Sequence, residues 1–329
     1  DLSLINKDGY QLPYVDYKYG IGVNFDTALL KLNYKYKEDN NVWFEGNMSL
    51  INGVLNYRRI SNKPVELSKV ALKYKMNVTG DDVEIDSSSE VSINKILFNP
   101  YIKLRFYPYK SVLIKIRKDK LESMDLFSSL PKGLFNNFEG IKTEGSFSFN
   151  LFFEYDSRQV DSLKFVSDFS SKDFKILKYG VTDFSLIRDN FKYNIYDNNG
   201  RYVRSKYMGE GSEDYVKLED ISDYLKNSVI TAEDGMFRYH KGFDEYAFKL
   251  SIIRNIKEKR FAKGGSTITM QLVKNLFLNR NKTIARKLEE ALIVWIIENK
   301  KILSKDRILE IYLNAIEWGP NVYGINEAS

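Results

Sequence analysis

The chain has 329 residues, of which 43% are hydrophobic and 29% are charged, so it is a globular protein long enough for two domains. It contains no cysteine and one histidine, which excludes disulfides, thiolate zinc sites, cysteine nucleophiles and a multi-histidine metal site within the chain. The net charge is +6, and residues 228–329 carry +5 of it (17 Lys and Arg against 12 Asp and Glu). An anionic partner should therefore meet the last third of the chain, and nucleic acid, anionic lipid and diphosphate all fit that charge.

No apolar stretch approaches the roughly 20 residues that a membrane-spanning helix needs. The longest, ALIVWII at 291–297, is flanked by acids and predicts a buried helix. Because the chain begins at Asp1 and ends at NEAS, we expect it to be part of a longer protein that carries an N-terminal membrane anchor.

The first 205 residues are dominated by alternating apolar and polar positions. Ala28, Leu30, Leu32, Tyr34 and Tyr36 alternate with other residues, and the same spacing recurs at 111–119 and from Phe147 to Tyr155. Alternation with a period of two predicts half-buried strands, and clusters of Asn, Asp, Gly and Ser separate the runs. The sequence therefore predicts an antiparallel β-rich domain.

Two features complete this β-rich region. The pair KYNIY and RYVRS, within 192–205, predicts a hairpin whose turn lies at Asn199-Gly200. The segment DLFSSLPKGLFNNF, 125–138, predicts a short helix. We place the end of this domain at residue 208, in front of the Gly/Ser/Glu-rich GEGSED stretch.

After Gly209 the apolar spacing becomes helical. Four or five helices with short connections are predicted, and each has a candidate capping residue: Ser222, Asp244, Ser266, Thr283 and Ser304. The predicted fold is α+β in two domains, an antiparallel β-rich domain at 1–208 and an all-α domain at 209–329.

The stretch ITAEDGMFRYHKGFDEY, 229–245, holds the only histidine of the chain, His240, close to the adjacent acids Glu233 and Asp234. The helical spacing puts this pair at a helix C-terminus, where the macrodipole disfavours negative charge. An acid held partly desolvated there suits general-base chemistry. The alternative, which applies to most Glu-Asp pairs, is a solvated turn.

The segment GGSTITMQLVKN places Gly264 and Gly265 before a Ser-Thr cap, where free N–H groups can receive an anion. Thr267, Gln271 and Lys274 then share one helix face. By itself this pattern is most often an N-cap followed by an amphipathic helix.

A third segment, NKTIARKLEEA, spaces Lys282, Arg286 and Glu290 at intervals of four, with Lys287 beside them. Such a row is by default a solvated ladder of ion pairs. Here, however, the helix continues into the apolar run ALIVWII, so the charged residues lie where the helix becomes buried, as a site requires.

In order and spacing, EDxxFxxHxGxD, GGSTITxQLxKN, RKxxEA, KxxILExYLN and EWGPxxYG resemble the five motifs of the peptidoglycan glycosyltransferases, which polymerise the lipid-linked precursor lipid II. The resemblance covers roughly residues 215–329. The ending EWGPNVYG is closer to the monofunctional biosynthetic transglycosylases than to the bifunctional penicillin-binding proteins.

The resemblance implies roles for individual residues. Glu233 is the general base that deprotonates the acceptor hydroxyl, and Glu290 assists at the diphosphate or positions a divalent cation, Mg²⁺ or Mn²⁺; no organic cofactor is implied. The residues implied to bind the substrate are Ser266, Thr267, Gln271, Lys274, Lys282, Arg286 and Lys287. Those implied to support the site are Asp234, Phe237, His240, Gly264, Gly265, Asn275 and Asn314.

The implied fold is a lysozyme-like helical lobe with a smaller mobile jaw, and the basic amphipathic segment 246–261 suits a jaw that rests on an anionic membrane. The same segment fits an ordinary core-facing helix equally well. The implied location is the cell envelope, on the periplasmic side of the inner membrane, with lipid II, the nascent glycan and other cell-wall synthesis proteins as partners.

Three departures accompany the resemblance. Met270 stands where the family usually has glutamine, and Lys282 stands where it usually has arginine. The lobe is expected to continue beyond Ser329, so that the transferase domain in this chain is incomplete at its C-terminal end.

The β-rich region loosely resembles the periplasmic domains of AsmA-like envelope proteins, and a spacer, a lipid-handling surface or a docking module are its candidate roles. Two alternatives to polymerisation stay open for the helical part: a lytic muramidase, and a catalytically degenerate envelope scaffold. A nucleic-acid binder is disfavoured, because the cations alternate with acids and are not interleaved with aromatics.

Overall fold

A computed structural model describes residues 2–5, 17–37, 41–197, 200–279 and 281–329. The chain divides into two compact units, which we call the β unit (Asp1–Val181 with Lys249–Lys263) and the helical unit (Thr182–Phe248 with Gly264–Ser329). Within the described residues, no helix combines the length and the apolar character needed to cross a membrane.

The β unit contains one eleven-stranded antiparallel sheet, which confirms the antiparallel β-rich region predicted from alternation. The main path of the sheet runs β1-β3-β4-β5-β6-β8-β9-β10-β11, with β2 paired to β4, and β7 paired to β5 and β8. The strands are β1 (Leu2–Ile5), β2 (Gly22–Asn24), β3 (Thr27–Lys37), β4 (Asn41–Asn56), β5 (Val65–Thr79), β6 (Asp82–Ile85), β7 (Glu90–Ile93), β8 (Ile96–Arg105), β9 (Ser111–Glu122), β10 (Lys142–Asp156) and β11 (Lys164–Lys178).

The buried corner of the β unit lies under a short helix, α1 (Ser123–Ser129), which overlaps the start of the segment 125–138 where the sequence predicts one. Phe127 of this helix packs on Phe147, with ring centroids 6.2 Å apart, and on Phe174 at 6.3 Å. All three side chains are buried. Phe147 belongs to the alternating run of β10, so the period of two that predicts the strand also supplies the core.

The helical unit begins with a hairpin, β12 (Phe191–Tyr196) and β13 (Tyr202–Met208), at the position the sequence predicts. Its predicted turn residue Asn199 lies outside the described residues. The predicted domain boundary at residue 208 differs from the observed division, because this hairpin is part of the helical unit. Lys206 is buried and pairs with Glu327, and it also donates to the carbonyl oxygen of Tyr323 at 2.5 Å.

The helices after the hairpin are α2 (Asp223–Glu233), α3 (Glu245–Glu258), α4 (Ile268–Phe277), α5 (Ile284–Asn299), α6 (Lys305–Ala315) and α7 (Ile325–Ala328). A two-stranded ribbon, β14 (Glu317–Gly319) with β15 (Val322–Tyr323), precedes α7, and 3₁₀ turns lie at Asn136–Phe138, Val160–Ser162, Phe184–Arg188 and Leu218–Asp220. The predicted succession of helices is confirmed in these residues; the lysozyme-like arrangement stays a prediction.

Helix α4 packs against α5 and α6, and these three helices supply the core of the helical unit. The run from Ile293 to Ile297 on α5 is buried, as its apolar composition predicts. Thr283 and Ser304 cap α5 and α6 by accepting the N–H of the third helical residue. The predicted cap of α4 is wrong by one residue: Thr267, and not Ser266, accepts the N–H of Met270.

The segment that was predicted to form a mobile jaw contributes Lys249–Lys263 to the β unit. Within this unit, Lys257 forms an ion pair with Asp161 at 2.6 Å, and Asn255 accepts the backbone N–H of Ala262 at 2.7 Å. The ion pair is solvent-exposed and therefore contributes little stability. The ion pair joins the segment to Asp161 of the β unit, whereas the prediction assigned the segment to the helical domain.

Candidate active site

Helix α2 ends at the acid pair, as the sequence predicts, and the two neighbouring carboxylates have opposite environments. Glu233 is the last helical residue and is exposed, whereas Asp234 is the C-cap and only 6% exposed. Because adjacent residues at a helix end point in different directions, one side chain can enter the core while the other stays in solvent. The partial desolvation expected for the candidate base is therefore found at Asp234 and not at Glu233.

Asp234 holds together the turn that follows α2. Its carboxylate accepts His240 Nε2 at 2.8 and 3.0 Å, and its Oδ2 accepts the backbone N–H of Ile268 at 3.0 Å. The other ring nitrogen of His240 accepts the N–H of Gly242 at 3.1 Å, which assigns the proton of a neutral ring to Nε2. The buried acid thereby joins the end of α2, the His240 turn and the N-terminus of α4.

The exposed acid is held by a side chain of α4. Gln271 Nε2 donates to Glu233 Oε2 at 2.8 Å, and Gln271 Oε1 accepts the hydroxyl of Tyr312 at 3.2 Å. Tyr312 lies on α6 and is 2% exposed. Burial, together with the negative charges of Glu233 and Asp234, raises the pKa of Tyr312, so the phenol stays protonated and donates its hydrogen.

Glu233 and Gln271 line an open cleft of about 560 Å³ within the helical unit. Lys274 and Asn275, one helical turn further along α4, line the same cleft. The cleft is also lined by aromatic residues of the hairpin and of the ribbon, namely Tyr193, Trp318 and Tyr323. The cleft thus combines a carboxylate and an ammonium group with flat rings of the kind that pack against sugars.

A second cluster lies at the start of α5. Glu290, whose side chain is 2% exposed, pairs with Arg286 Nη1 at 2.8 Å and with Lys287 Nζ at 2.5 Å. Lys287 Nζ also donates to the hydroxyl of Ser266 at 3.1 Å. A buried carboxylate between two cations fixes the positions of those cations, and such a pair is suited to bind an anionic group.

This donor set does not fit the divalent cation expected at Glu290. Both carboxylate oxygens are already engaged by cationic groups, and a metal ion would have to displace them. In the described part of the chain, no three His, Cys, Asp or Glu side chains come together in a group that could hold a metal ion.

Two residues that were predicted to bind substrate lie elsewhere. Thr267 is 3% exposed, and its hydroxyl donates to the carbonyl oxygen of Gly242 at 2.7 Å while it caps α4. Thr267 is therefore a buried residue that caps α4. Lys282 is exposed in the loop before α5.

The residues predicted to support the site occupy two kinds of position. Phe237 is fully buried and Lys305 Nζ lies 4.6 Å from its ring centroid. Asn314 is fully buried and exchanges hydrogen bonds with both backbone groups of Val216, at 2.9 and 2.8 Å. Gly264 is exposed and Gly265 half-buried in the loop before α4.

Sequence reasoning did not assign Tyr312, although this residue lies within the fourth of the five motifs. Its position in KxxILExYLN, two residues before Asn314, was the only available signal. Tyr193 was missed as well, because it lies on the hairpin that was assigned to the other domain. Both side chains reach the cleft only through tertiary packing.

Comparison with known proteins relates the last third of the chain to the transglycosylases. Residues 199–329 match the family model described as Transglycosylase. The chain is 52% identical over 115 residues to the biosynthetic peptidoglycan transglycosylase of Nitrosomonas eutropha, a match that covers 35% of this chain and 46% of that protein. For the protein of the same name from Alcanivorax borkumensis the identity is 41% over 133 residues, which covers 40% of this chain and 54% of that protein.

The Bacillus subtilis penicillin-binding protein 1A/1B is 38% identical over 148 residues, which covers 45% of this chain and 16% of that protein. The chain spans about half the length of the biosynthetic transglycosylases named above. These matches confirm the resemblance that rests on the five motifs.

Proposed function

We propose that residues 199–329, which form a transglycosylase domain and thus the glycosyltransferase part of the chain, polymerise lipid II into β-1,4-linked glycan strands. One observation carries the proposal. The exposed carboxylate of Glu233 is held by Gln271 in an open cleft that Lys274 also lines. A base that is fixed in place but accessible to a substrate hydroxyl is what glycosyl transfer requires.

In the proposed reaction, Glu233 accepts the proton of the acceptor sugar hydroxyl. The deprotonating oxygen forms a bond to the anomeric carbon of the donor sugar. The bond from that carbon to the diphosphate oxygen breaks at the same time, and its electron pair leaves with undecaprenyl diphosphate. A single displacement inverts the configuration, as in glycosidases where one carboxylate acts as base without a covalent intermediate.

The Glu290 cluster is proposed to bind the diphosphate. Its Arg286 and Lys287 are oriented by the buried carboxylate, and Ser266 adds a neutral hydroxyl. Arg286 Nε has no hydrogen-bond partner within the described residues, so a buried donor remains for a substrate oxygen. Fixed cations stabilise the negative charge that develops on a leaving diphosphate. Lys282, which is exposed in the loop before α5, is proposed to add a further positive charge for the diphosphate.

Glu290 in this proposal positions cations and takes no part in proton transfer. No step is assigned to Mg²⁺ or Mn²⁺, since the carboxylate is already neutralised by its two partners. Substrate that enters the site displaces water from the ion pairs of Glu290. Ion pairs without water are stable only when their contacts are short and well directed, as the contacts with Arg286 and Lys287 are.

A lipid-linked substrate implies work at a membrane surface, and the periplasmic side of the inner membrane is the proposed location. An aromatic side chain of the β unit supports it: Phe261 is 83% exposed and follows the exposed Arg260 in the loop after α3, with the exposed Lys263 two residues later. Exposed rings beside cations favour contact with an anionic bilayer. The nascent glycan and other cell-wall synthesis proteins are the remaining proposed partners.

Polymerisation of fluorescently labelled lipid II by the full-length protein tests the proposal. Glu233→Gln keeps the side-chain volume and removes the base, and we expect it to lower the rate by about 10²–10⁴-fold. Glu219→Gln is the matched control, because Glu219 is an exposed acid on the turn before α2 and does not line the cleft. Equal rates for Glu233→Gln and the wild type would exclude Glu233 as the base.

Two further measurements, digestion of finished glycan and binding of lipid II, separate the alternatives. Release of muropeptides from finished glycan without new polymer would identify a lytic muramidase. Binding of lipid II with neither polymer nor cleavage products would identify a degenerate scaffold.

A further inference from the structure

The hydrogen bonds at the candidate base continue one step beyond Gln271. Tyr312 reaches the amide from α6, and the amide reaches Glu233 on α2 from α4. Three different helices are therefore linked by two contacts, 3.2 Å and 2.8 Å long. Neither the five motifs nor the comparisons assign a role to Tyr312.

The two contacts fix which end of the Gln271 amide faces the base. An ionised Glu233 only accepts hydrogen bonds, so it requires the NH₂ group. Tyr312 is protonated and buried, and its hydroxyl donates to the carbonyl end. With the amide turned over, Oε1 would face the carboxylate and two acceptors would repel each other. Both partners thus favour the same orientation.

The side chain of Tyr312 is enclosed by the protein, which limits the hydrogen-bond partners that its hydroxyl can reach. The residue is 2% exposed, and its ring is fully enclosed although it lies at the wall of the cleft. The helix ends three residues later at Ala315, so the ring is held by the last turn of α6. A rigid donor of this kind can hold a flexible glutamine side chain in a single conformation.

We propose that Tyr312 is a positioning residue for glycosyl transfer, which orients the Gln271 amide so that its NH₂ group holds the carboxylate of Glu233 in the cleft. This inference rests on the proposed function. Tyr312 acts through Gln271, whose amide lies between the Tyr312 hydroxyl and Glu233. Loss of its hydroxyl leaves Oε1 of Gln271 without a donor, and the amide then turns to find one.

Tyr312→Phe in the full-length protein removes the hydroxyl and keeps the ring. A lost hydrogen bond of ordinary strength lowers kcat by about threefold to tenfold, and KM for lipid II changes little. In a Gln271→Ala background, the same substitution should have no further effect, because the connecting amide is gone.

Tyr215→Phe is the matched control. Its hydroxyl also donates to a side chain, the carboxylate of Glu310, but Tyr215 is half-buried and does not line the cleft. We expect this variant to lose stability and to keep the wild-type kcat. An equal loss of kcat in Tyr215→Phe would show that a phenol hydroxyl of the helical unit matters through stability alone, and would overturn the proposal.

A second readout does not need activity. Nitrogen-15 NMR of glutamine-labelled protein, with the Gln271 side-chain NH₂ signal assigned from Gln271→Ala, follows the amide that joins Tyr312 to Glu233. The proposal expects this signal to shift in Tyr312→Phe relative to the wild type, because the hydroxyl that fixes the amide is gone. An identical Gln271 signal in Tyr312→Phe and the wild type refutes it, even if the wild type forms no polymer; absence of polymer by itself refutes only the proposed function.

Discussion

The contact between His240 and Asp234 makes a quantitative prediction about the role of the only histidine. Both side chains are buried, 9% and 1% exposed, and the ring nitrogen lies 2.8 Å from the carboxylate. His240→Ala removes a hydrogen bond to a charged group, about 1.5–3 kcal/mol, and leaves the Gly242 N–H without its acceptor, about 1 kcal/mol. We expect the helical unit to lose about 2–4 kcal/mol of its free energy of unfolding.

Asp234→Ala should be more costly, about 3–5 kcal/mol, because it also leaves the Ile268 N–H unsatisfied. The double variant should lose about 1.5–3 kcal/mol less than the sum, which is the coupling of the pair. Urea unfolding in a Trp43→Phe background measures this, since tryptophan fluorescence then comes only from Trp295 and Trp318 in the helical unit.

His240→Gln supplies the control for chemistry as opposed to structure. The amide keeps a donor for Asp234, so the variant should recover part of the lost stability and should polymerise lipid II at a rate near that of the wild type. A coupling energy below about 0.5 kcal/mol would refute the structural reasoning. A folded His240→Gln protein without activity would indicate that the histidine transfers protons.

Two further predictions concern stability. Burial raises the pKa of Glu310, but hydrogen bonds from Tyr215, the Leu218 N–H and Arg307 outweigh burial and hold that pKa below 4.5. The stability that the ionised Glu310 contributes is therefore complete above pH 4.5 and is lost on further acidification. Glu310→Gln should make the unfolding midpoint less dependent on pH in the acid range. Gly242→Ala should destabilise the helical unit by about 2 kcal/mol or more. The residue has a φ of +92°, and the new Cβ would lie 2.5 Å from Val294 Cγ1. An unchanged thermal midpoint would show that this position tolerates a side chain, against the prediction.

Much of the local structure follows from the sequence, because it depends on contacts between residues close in the chain. The period of two gives the strands of the β unit, and the period of 3.6 gives the helices of the other. Thr283 and Ser304 are predicted caps because each hydroxyl reaches an N–H three residues later. The order of the five motifs, in the same way, needs no tertiary information.

The assignment of residues to units was harder to predict. The hairpin 191–208 has the alternation of a strand pair, and nothing in its composition tells which core it joins. Lys206 decides this through its ion pair with Glu327, more than 100 residues later. The amphipathic character of Lys249–Lys263 is likewise compatible with either unit.

The sequence by itself determined that an acid pair ends a helix, that donors and cations follow at the starts of two later helices, and that the motifs in this order resemble those of the peptidoglycan glycosyltransferases. Only the tertiary structure decided that Asp234 is the buried member of the pair and Glu233 the accessible one, and that Tyr312 completes the chain of hydrogen bonds. The physical reason is the distance along the chain over which each interaction acts. Periodicity and capping act over a few residues, whereas the environment of a carboxylate depends on side chains from helices that are distant in sequence and meet only when the core packs.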